Sequence, residues 1–377
     1  MKTNPFFPEI KGVFGFGCMR LPMIGEEVDE AQFSLMIDRF LDAGFNYFDT
    51  AHGYIDGKSE KAIARCLSAR YDRSKFLLTN KLTAPYFNCE ADIRPFFESQ
   101  LAACGVDYFD FYLMHAQSRE NFPKFKECRA YETAFELKKE GKIRHVGLSF
   151  HDSAEVLDEI LCTYPEVDAV QIQFNYADYR DPSVDSKRVY ETCVKHRKPV
   201  IVMEPVKGGT LVRLPDKAKD LFTALGGGSP ASYALRFVAG FPQMCMILSG
   251  MSSLEQMEDN LSFMPDPLPL NETEEQAIEK VCAVIKETGG IPCTGCRYCI
   301  TDNHCPKDIL IPDVFAAYNS KVAFHSWTAG GYYRRVVTKD HGKASDCISC
   351  GMCERVCPAH LPIRELLRKA AEQLEKR

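Results

Sequence analysis

Asn46-Tyr47-Phe48-Asp49-Thr50-Ala51-His52-Gly53-Tyr54 is the stretch on which the fold turns. It starts as apolar strand, Phe45 to Phe48, and breaks at Asp49 into a loop carrying a tyrosine five residues on. An aspartate where a buried strand surfaces, with a phenol nearby, suits acid catalysis. Taken alone it equally suits an aspartate capping a loop. Two later runs sharpen the reading: Phe76-Leu77-Leu78-Thr79-Asn80-Lys81 ends in a lysine, and Phe109-Asp110-Phe111-Tyr112-Leu113-Met114-His115 ends in a histidine.

Outward from this stretch the same unit recurs. Apolar runs lie at Gly12–Gly17, Phe45–Asp49, Phe76–Lys81, Tyr108–His115, Arg144–Ser149, Ala169–Asn175, Pro199–Glu204 and Met244–Ser249. Helix-period segments separate them, among them Asp29–Ala43, Ala91–Cys104, Asp152–Cys162 and Ser183–His196, several opened by Asp or Ser as N-caps. Runs that are continuously apolar, not alternating, suit parallel strands buried on both faces. Eight such units in roughly 250 residues predict a (β/α)8 TIM barrel, an α/β fold whose chemistry sits at the C-terminal ends of its strands. A doubly wound open sheet is the alternative, but no Gly-rich dinucleotide fingerprint follows the first run. Gly226-Gly227-Gly228 has no strand before it and no Lys-Ser/Thr after it, so it reads as a turn ahead of a Ser229–Ala239 helix.

Composition bounds the rest. The chain has 377 residues, 45% hydrophobic, enough for large cores. Its net charge of −6 suggests no nucleic-acid or anionic-membrane partner. No apolar run approaches membrane-spanning length, and the expectation is a soluble, cytoplasmic protein. Of 17 cysteines, eight gather in two tight clusters near the C-terminus, which argues for thiolate ligands in a reducing compartment. The scattered ones read as small core residues, although Cys18, just after the first run, could approach a pocket.

Past Phe263 the texture changes. Met264-Pro265-Asp266-Pro267-Leu268-Pro269-Leu270 is a proline-rich stop, and a helix is expected from Glu272 to about Glu287. Then come Cys293-x2-Cys296-x2-Cys299-x5-Cys305-Pro306 and Cys347-x2-Cys350-x2-Cys353-x3-Cys357-Pro358, and a charged amphipathic helix, Ile363–Lys376. The expected layout is a barrel over 1–263, a linker and helix over 264–290, and a small α+β cysteine domain over 291–377.

Asp49, Tyr54, Lys81 and His115, at the ends of successive strands, resemble the aldo-keto reductases, and the likeness runs from about Lys11 to about Phe263. The resemblance implies reduction of an aldehyde or ketone by a nicotinamide, NADP(H) or NAD(H), with Tyr54 donating the proton. A free phenol near pKa 10 gives up its proton reluctantly at neutral pH, and a nearby cation lowers that value. In the implied arrangement Lys81 supplies the cation, Asp49 keeps it charged and aimed, and His115 orients the carbonyl or relays the proton. Ser149 and Gln173 fall where the family holds the carboxamide, and Met203, before Glu204, where it stacks an aromatic. Gly250, Ser252, Ser253, Gln256 and Asn260 fall on the phosphate-holding loop and helix start. The family's basic clamp positions for a 2′-phosphate are Gly250 and Gln256 here. Lys207 or Arg213 could substitute, though each reads more simply as a solvated surface charge.

The cysteine repeat resembles two-cluster bacterial ferredoxins, in which the Cys before each Pro ligates the other cluster. That implies one [4Fe-4S] cluster on Cys293, Cys296, Cys299 and Cys357, and a second on Cys347, Cys350, Cys353 and Cys305. Zinc is the alternative, but a zinc site needs neither the third Cys at x2 spacing nor the Cys-Pro. Three functions stay open: a carbonyl reductase accompanied by clusters, a cluster-fed reductase working through flavin, and a nicotinamide-sensing electron-transfer protein. No flavin motif is present. A small-molecule carbonyl substrate and a protein redox partner are the expected partners.

Overall fold

Eight parallel strands close on themselves into a barrel. The computed structural model describes residues 4–181, 184–301, 305–322 and 329–375. The strands are β1 Phe14–Gly17, β2 Tyr47–Asp49, β3 Leu77–Leu82, β4 Phe109–Gln117, β5 Ile143–Phe150, β6 Ala169–Gln173, β7 Val200–Met203 and β8 Met244–Ser249. Each of the eight apolar runs overlaps one of them, with β3, β4 and β5 extending one or two residues beyond their runs. β1 pairs with β8 to complete the circle, Phe14 level with Ile247. The register sets Gly17, Asp49 and Thr79 side by side, and Ser149 beside Gln171. The C-terminal rim therefore collects Asp49, Lys81 and Ser149 from strands far apart in sequence.

Packing follows from the residue types. The helix Glu30–Asp42 is N-capped by Asp29, whose carboxylate accepts from the Gln32 N–H, and buries Phe33, Met36, Ile37 and Phe40. The Phe40 ring meets those of Phe14, Phe45 and Phe48 at 5.2–5.8 Å. Each such side chain contributes about 1.5–3 kcal/mol by leaving water. The other end of the barrel is plugged by Phe7 and Ile10, which join Tyr47, Phe111, Ile201 and Met246 in one apolar cluster. Asn4 ties this plug down by donating to the Cys245 carbonyl at 2.6 Å.

The chain divides into two compact units. The first comprises residues up to 181, 185–205 and 235–269, and holds the barrel strands. The second comprises mainly 206–234 and the chain from 270 on. In the second unit the helix Glu272–Glu287 starts where expected, with Asn271 and Glu274 forming a reciprocal capping box. Its cysteine region is built around Ile309, Ile311, Val314, Phe315, Leu361, Ile363 and Leu367. Two helices carry half of that core, Ile311–Val322 and Ile363–Leu374. The end of the expected C-terminal helix, Lys376, and the start of the Ser183 segment lie outside the described residues. Lys207 corrects an expectation, because it is buried and not a solvated surface charge. Arg213 is exposed, as read.

Candidate active site and cysteine cradles

Lys81 is wholly buried, and an ammonium in that position must be compensated. Its Nζ donates to Asp49 Oδ1 at 2.6 Å and to the Thr50 carbonyl at 2.8 Å. The other oxygen of Asp49 accepts from Gln171 Nε2 at 3.1 Å, across the barrel from β6. Burial pushes Lys81 down and Asp49 up, and their mutual attraction opposes both shifts. The half-buried Tyr54 ring stands over this pair, its centroid 4.9 Å from Nζ. His115 meets Tyr54 edge-on, with ring centroids 6.2 Å apart. Burial holds the His115 imidazole well below its usual pKa, and Lys81 and His151 add to the effect. The ring is therefore neutral at pH 7. The four residues read from the strand ends converge.

A second layer, which the sequence reading missed, fixes them. Thr83 Oγ1 lies 2.7 Å from His115 Nδ1. Behind Lys81, the buried Asn80 donates to Glu60 at 2.8 Å, and Gln100 links Asn80, the Lys81 carbonyl and the Tyr112 hydroxyl. The only signal for this network was Asn80 itself, a second polar residue inside an apolar run. Cys18 stays in the core, its thiol pushed up chiefly by burial, so it is no reactive thiolate at the pocket.

The nicotinamide candidates are distributed over the same rim. Ser149 Oγ accepts the Ala116 N–H at 2.7 Å, which leaves its own hydroxyl hydrogen to give. Gln173 Nε2 donates to Asp178 at 3.0 Å, leaving its carbonyl oxygen as acceptor. Such a donor–acceptor pair suits a carboxamide. Met203 is half-buried at the end of β7, and Glu204 follows with φ +59° and pairs with Arg20 at 3.4 Å. Ser253 caps the helix Leu254–Leu261, Ser252 Oγ donates to the Arg20 carbonyl, and Asn260 donates to Ser249 Oγ at 2.9 Å. Gln256 folds back to accept the Ser252 N–H at 2.8 Å. Arg20 reaches this loop too: a Cβ on Gly250 would lie 3.7 Å from the Arg20 Cβ. It is a cation that the clamp positions alone did not reveal.

In the second unit the eight clustered cysteines line two separate cavities. One has Cys293, Cys296, Cys299 and Cys357 on its wall; the other has Cys305, Cys347, Cys350 and Cys353. Each motif thus sends its last cysteine into the cavity of the other. Apolar residues share the walls, Phe315 and Leu361 in the first and Ile348 and Leu367 in the second, with Ile311 in both, alongside Arg297 in the first and Lys307 and Arg364 in the second. Four sulfurs gathered in a largely apolar cavity fit an iron–sulfur cube, which needs thiolate ligands. A third set on the barrel's outer helices, Asp158, Cys162 and His196, brings ligand atoms within 4.8 Å. There Lys195 and His196 already satisfy the Asp158 carboxylate, at 2.7 and 2.5 Å, so an ion pair accounts for it.

A barrel with a buried lysine–aspartate pair at its C-terminal rim, followed by cysteine cradles, defines a redox protein of two parts. Residues 13–283 match the family model for the aldo/keto reductase family, and residues 292–362 match that of a 4Fe-4S dicluster domain. The chain belongs to the aldo/keto reductase family and carries a C-terminal 4Fe-4S ferredoxin-like region. Among curated relatives, the uncharacterized oxidoreductase YqkF of Bacillus subtilis (strain 168) is 24% identical over 281 residues, covering 66% of this chain and 85% of that protein. The NADH-specific methylglyoxal reductase of Escherichia coli (strain K12) is 30% identical over 166 residues, covering 38% of this chain and 49% of that protein. Among solved structures, the holo form of aldo-keto reductase AKR11C1 from Bacillus halodurans superposes with a TM-score of 0.58 at 25% identity, over 71% of this chain and 91% of that one. Among the described residues no helix is long and apolar enough to cross a membrane.

Proposed function

We propose that this oxidoreductase reduces a small carbonyl compound, with Tyr54 as the acid. The observation that carries the reading is buried Lys81, paired with Asp49, whose Nζ lies 4.9 Å from the Tyr54 ring centroid. A bound nicotinamide would supply the hydride. The chain's own groups would manage the proton that the developing alkoxide requires. Lys81 favours the phenolate left after Tyr54 donates, and Asp49 keeps Lys81 charged against its burial. His115, neutral, orients the carbonyl oxygen with a hydrogen bond and adds no charge of its own. Ser149 and Gln173 offer donor and acceptor to the carboxamide, and Ser252, Ser253 and the helix start after them face the cofactor's phosphate. Either NADPH or NADH fits this reading, because the clamp positions Gly250 and Gln256 carry no charge.

Tyr54→Phe tests it. Carbonyl turnover with simple aldehydes should fall on the order of 100- to 10,000-fold while nicotinamide affinity holds. A variant within a few-fold of the parent rate removes Tyr54 from the mechanism.

The cysteine cradles favour a second element in the same proposal. Two [4Fe-4S] clusters, one per cavity, would each supply one-electron transfer. A hydride carries two electrons together, so coupling the sites through chemistry takes a flavin-like converter. Adding NADH or NADPH anaerobically and following the iron–sulfur absorbance separates the cases. Bleaching supports a coupled or cluster-fed reductase, and aldehyde turnover without bleaching supports clusters that only accompany the barrel site.

A further inference from the structure

Two glycines outside the cysteine motifs, Gly208 far upstream and Gly342 five residues before Cys347, are pressed against the backbone of the cluster loops. Gly208 has φ +61°, and a Cβ built on it would lie 2.0 Å from the Thr294 carbonyl oxygen and 2.9 Å from the Thr294 Cα. Thr294 is buried, follows Cys293 directly and lines the first cavity. Gly342 repeats the arrangement on the second cavity. Its Cβ would lie 2.0 Å from the Lys307 carbonyl oxygen and 3.0 Å from Ile309 Cγ1, and its N–H donates to Asp308 at 3.0 Å. Lys307 follows Cys305 by two residues and lines that cavity with it.

Backbone cannot swing aside as the tip of a side chain can. At 2.0 Å, well inside van der Waals contact, any residue larger than glycine must move the loop that carries the cysteine. We propose that Gly208 and Gly342 are positioning residues for the two iron–sulfur clusters: Gly208 holds the Cys293–Cys299 loop in ligating register, and Gly342 holds Cys305. The inference rests on the cluster assignment above. It goes further by giving each cluster its own outside buttress, one of them in the loop that follows β7, 85 residues before Cys293. Gly209 is a matched contrast in the same loop. It too has positive φ, +91°, but a Cβ there meets only the flexible Arg213 guanidinium, at 3.2 Å.

The test compares Gly208→Ala, Gly209→Ala and Gly342→Ala in the full chain, prepared anaerobically. Iron and sulfide are counted, and the reduced clusters are examined by electron paramagnetic resonance. Cys296→Ala and Cys350→Ala mark which signal belongs to which loop, whatever the fourth ligands are. Gly208→Ala should lose the signal that Cys296→Ala loses and keep the other, with iron falling from about eight to about four per chain. Gly342→Ala should lose the Cys350 signal instead, and Gly209→Ala should keep both. The proposal is overturned if Gly208→Ala keeps both signals, or if Gly209→Ala matches it, since loop strain would then explain the loss. If Gly208→Ala yields no soluble protein, Gly342→Ala decides: loss of the Cys350 signal alone supports the proposal, and retention or loss of both signals sinks it. Should Gly342→Ala remove the Cys296 signal, Cys305→Ala shows separately whether the ligand assignment, and not the buttress, was at fault.

Discussion

At the scale of single residues, His115 shows how burial selects a chemical form. Its imidazole is held neutral by loss of solvent and by the neighbouring Lys81 charge. In the unfolded chain the ring takes a proton below about pH 6.5, and in the fold it does not. Its folded pKa is thus depressed, and its contribution to stability is whole above pH 6.5 and lost as pH falls below it. The loss reaches about 1.4 kcal/mol per pH unit down to the folded pKa. His115→Gln should therefore flatten the acid side of a plot of barrel melting temperature against pH, and an unchanged slope would show that the ring titrates normally. Thr83 fixes the same ring through the 2.7 Å contact at Nδ1. Thr83→Val leaves that nitrogen without its partner, at about 1–3 kcal/mol, and should lower kcat/KM for an aldehyde by roughly tenfold or more. Thr83→Ser should restore it. Equal rates for the Val and Ser variants would remove the hydroxyl from the site.

At the scale of elements, strand ends were legible because a parallel barrel buries its strands on both faces. A polar residue in such a run has to be at an end or in a partnership. Asp49 and Lys81 were found this way, and so were the limits of β8, while the helix Glu272–Glu287 was marked by the proline-rich stop before it. The partners across the rim were not legible. Gln171 reaches Asp49 from a strand 122 positions on, and Glu60 reaches Asn80 from a helix; neither position has any local signature. The helix Ile311–Val322, between the two cysteine motifs, was also missed, although its apolar spacing builds the core that both cavities share. The helix Leu254–Leu261 carries a prediction of its own. Gln256 spends its side-chain oxygen on the Ser252 N–H, leaving the helix start with serine hydroxyls and no cation of its own. The parent should discriminate between NADPH and NADH by about tenfold or less, and Gln256→Arg should favour NADPH, since a guanidinium pairs with the extra phosphate. Binding titrations with both nucleotides measure this. Strong NADPH selectivity in the parent would assign the clamp to another cation, with Arg20 beside Gly250 the first to substitute.

At the scale of the whole molecule, the chain joins an aldo/keto reductase barrel to a 4Fe-4S dicluster region, and the ligation proposed for that region crosses between its two cysteine motifs. A local scheme, each motif closing its own site, would put Cys305 with Cys293 and Cys357 with Cys347. The cavities divide the other way, with Cys357 beside Cys293, Cys296 and Cys299, and Cys305 beside Cys347, Cys350 and Cys353. The Cys299 thiol agrees with this grouping, since after burial the charges that raise it most come from Cys296, Cys293 and Cys357. Crossed ligation would make each site a staple between the two halves of the module, so that metal binding and folding would become one event. Cys357→Ala should damage the site built on Cys293, Cys296 and Cys299 while sparing the one built on its own sequence neighbours, and Cys305→Ala should do the reverse. Because each site ties both halves together, either change should also lower the melting temperature of the cysteine module as a whole and leave the barrel transition in place. Spectroscopy and iron counts on each variant, with calorimetry on the same samples, read both effects. If Cys357→Ala instead empties the site of Cys347, Cys350 and Cys353, each motif closes on itself, and the stapled module gives way to two independent loops.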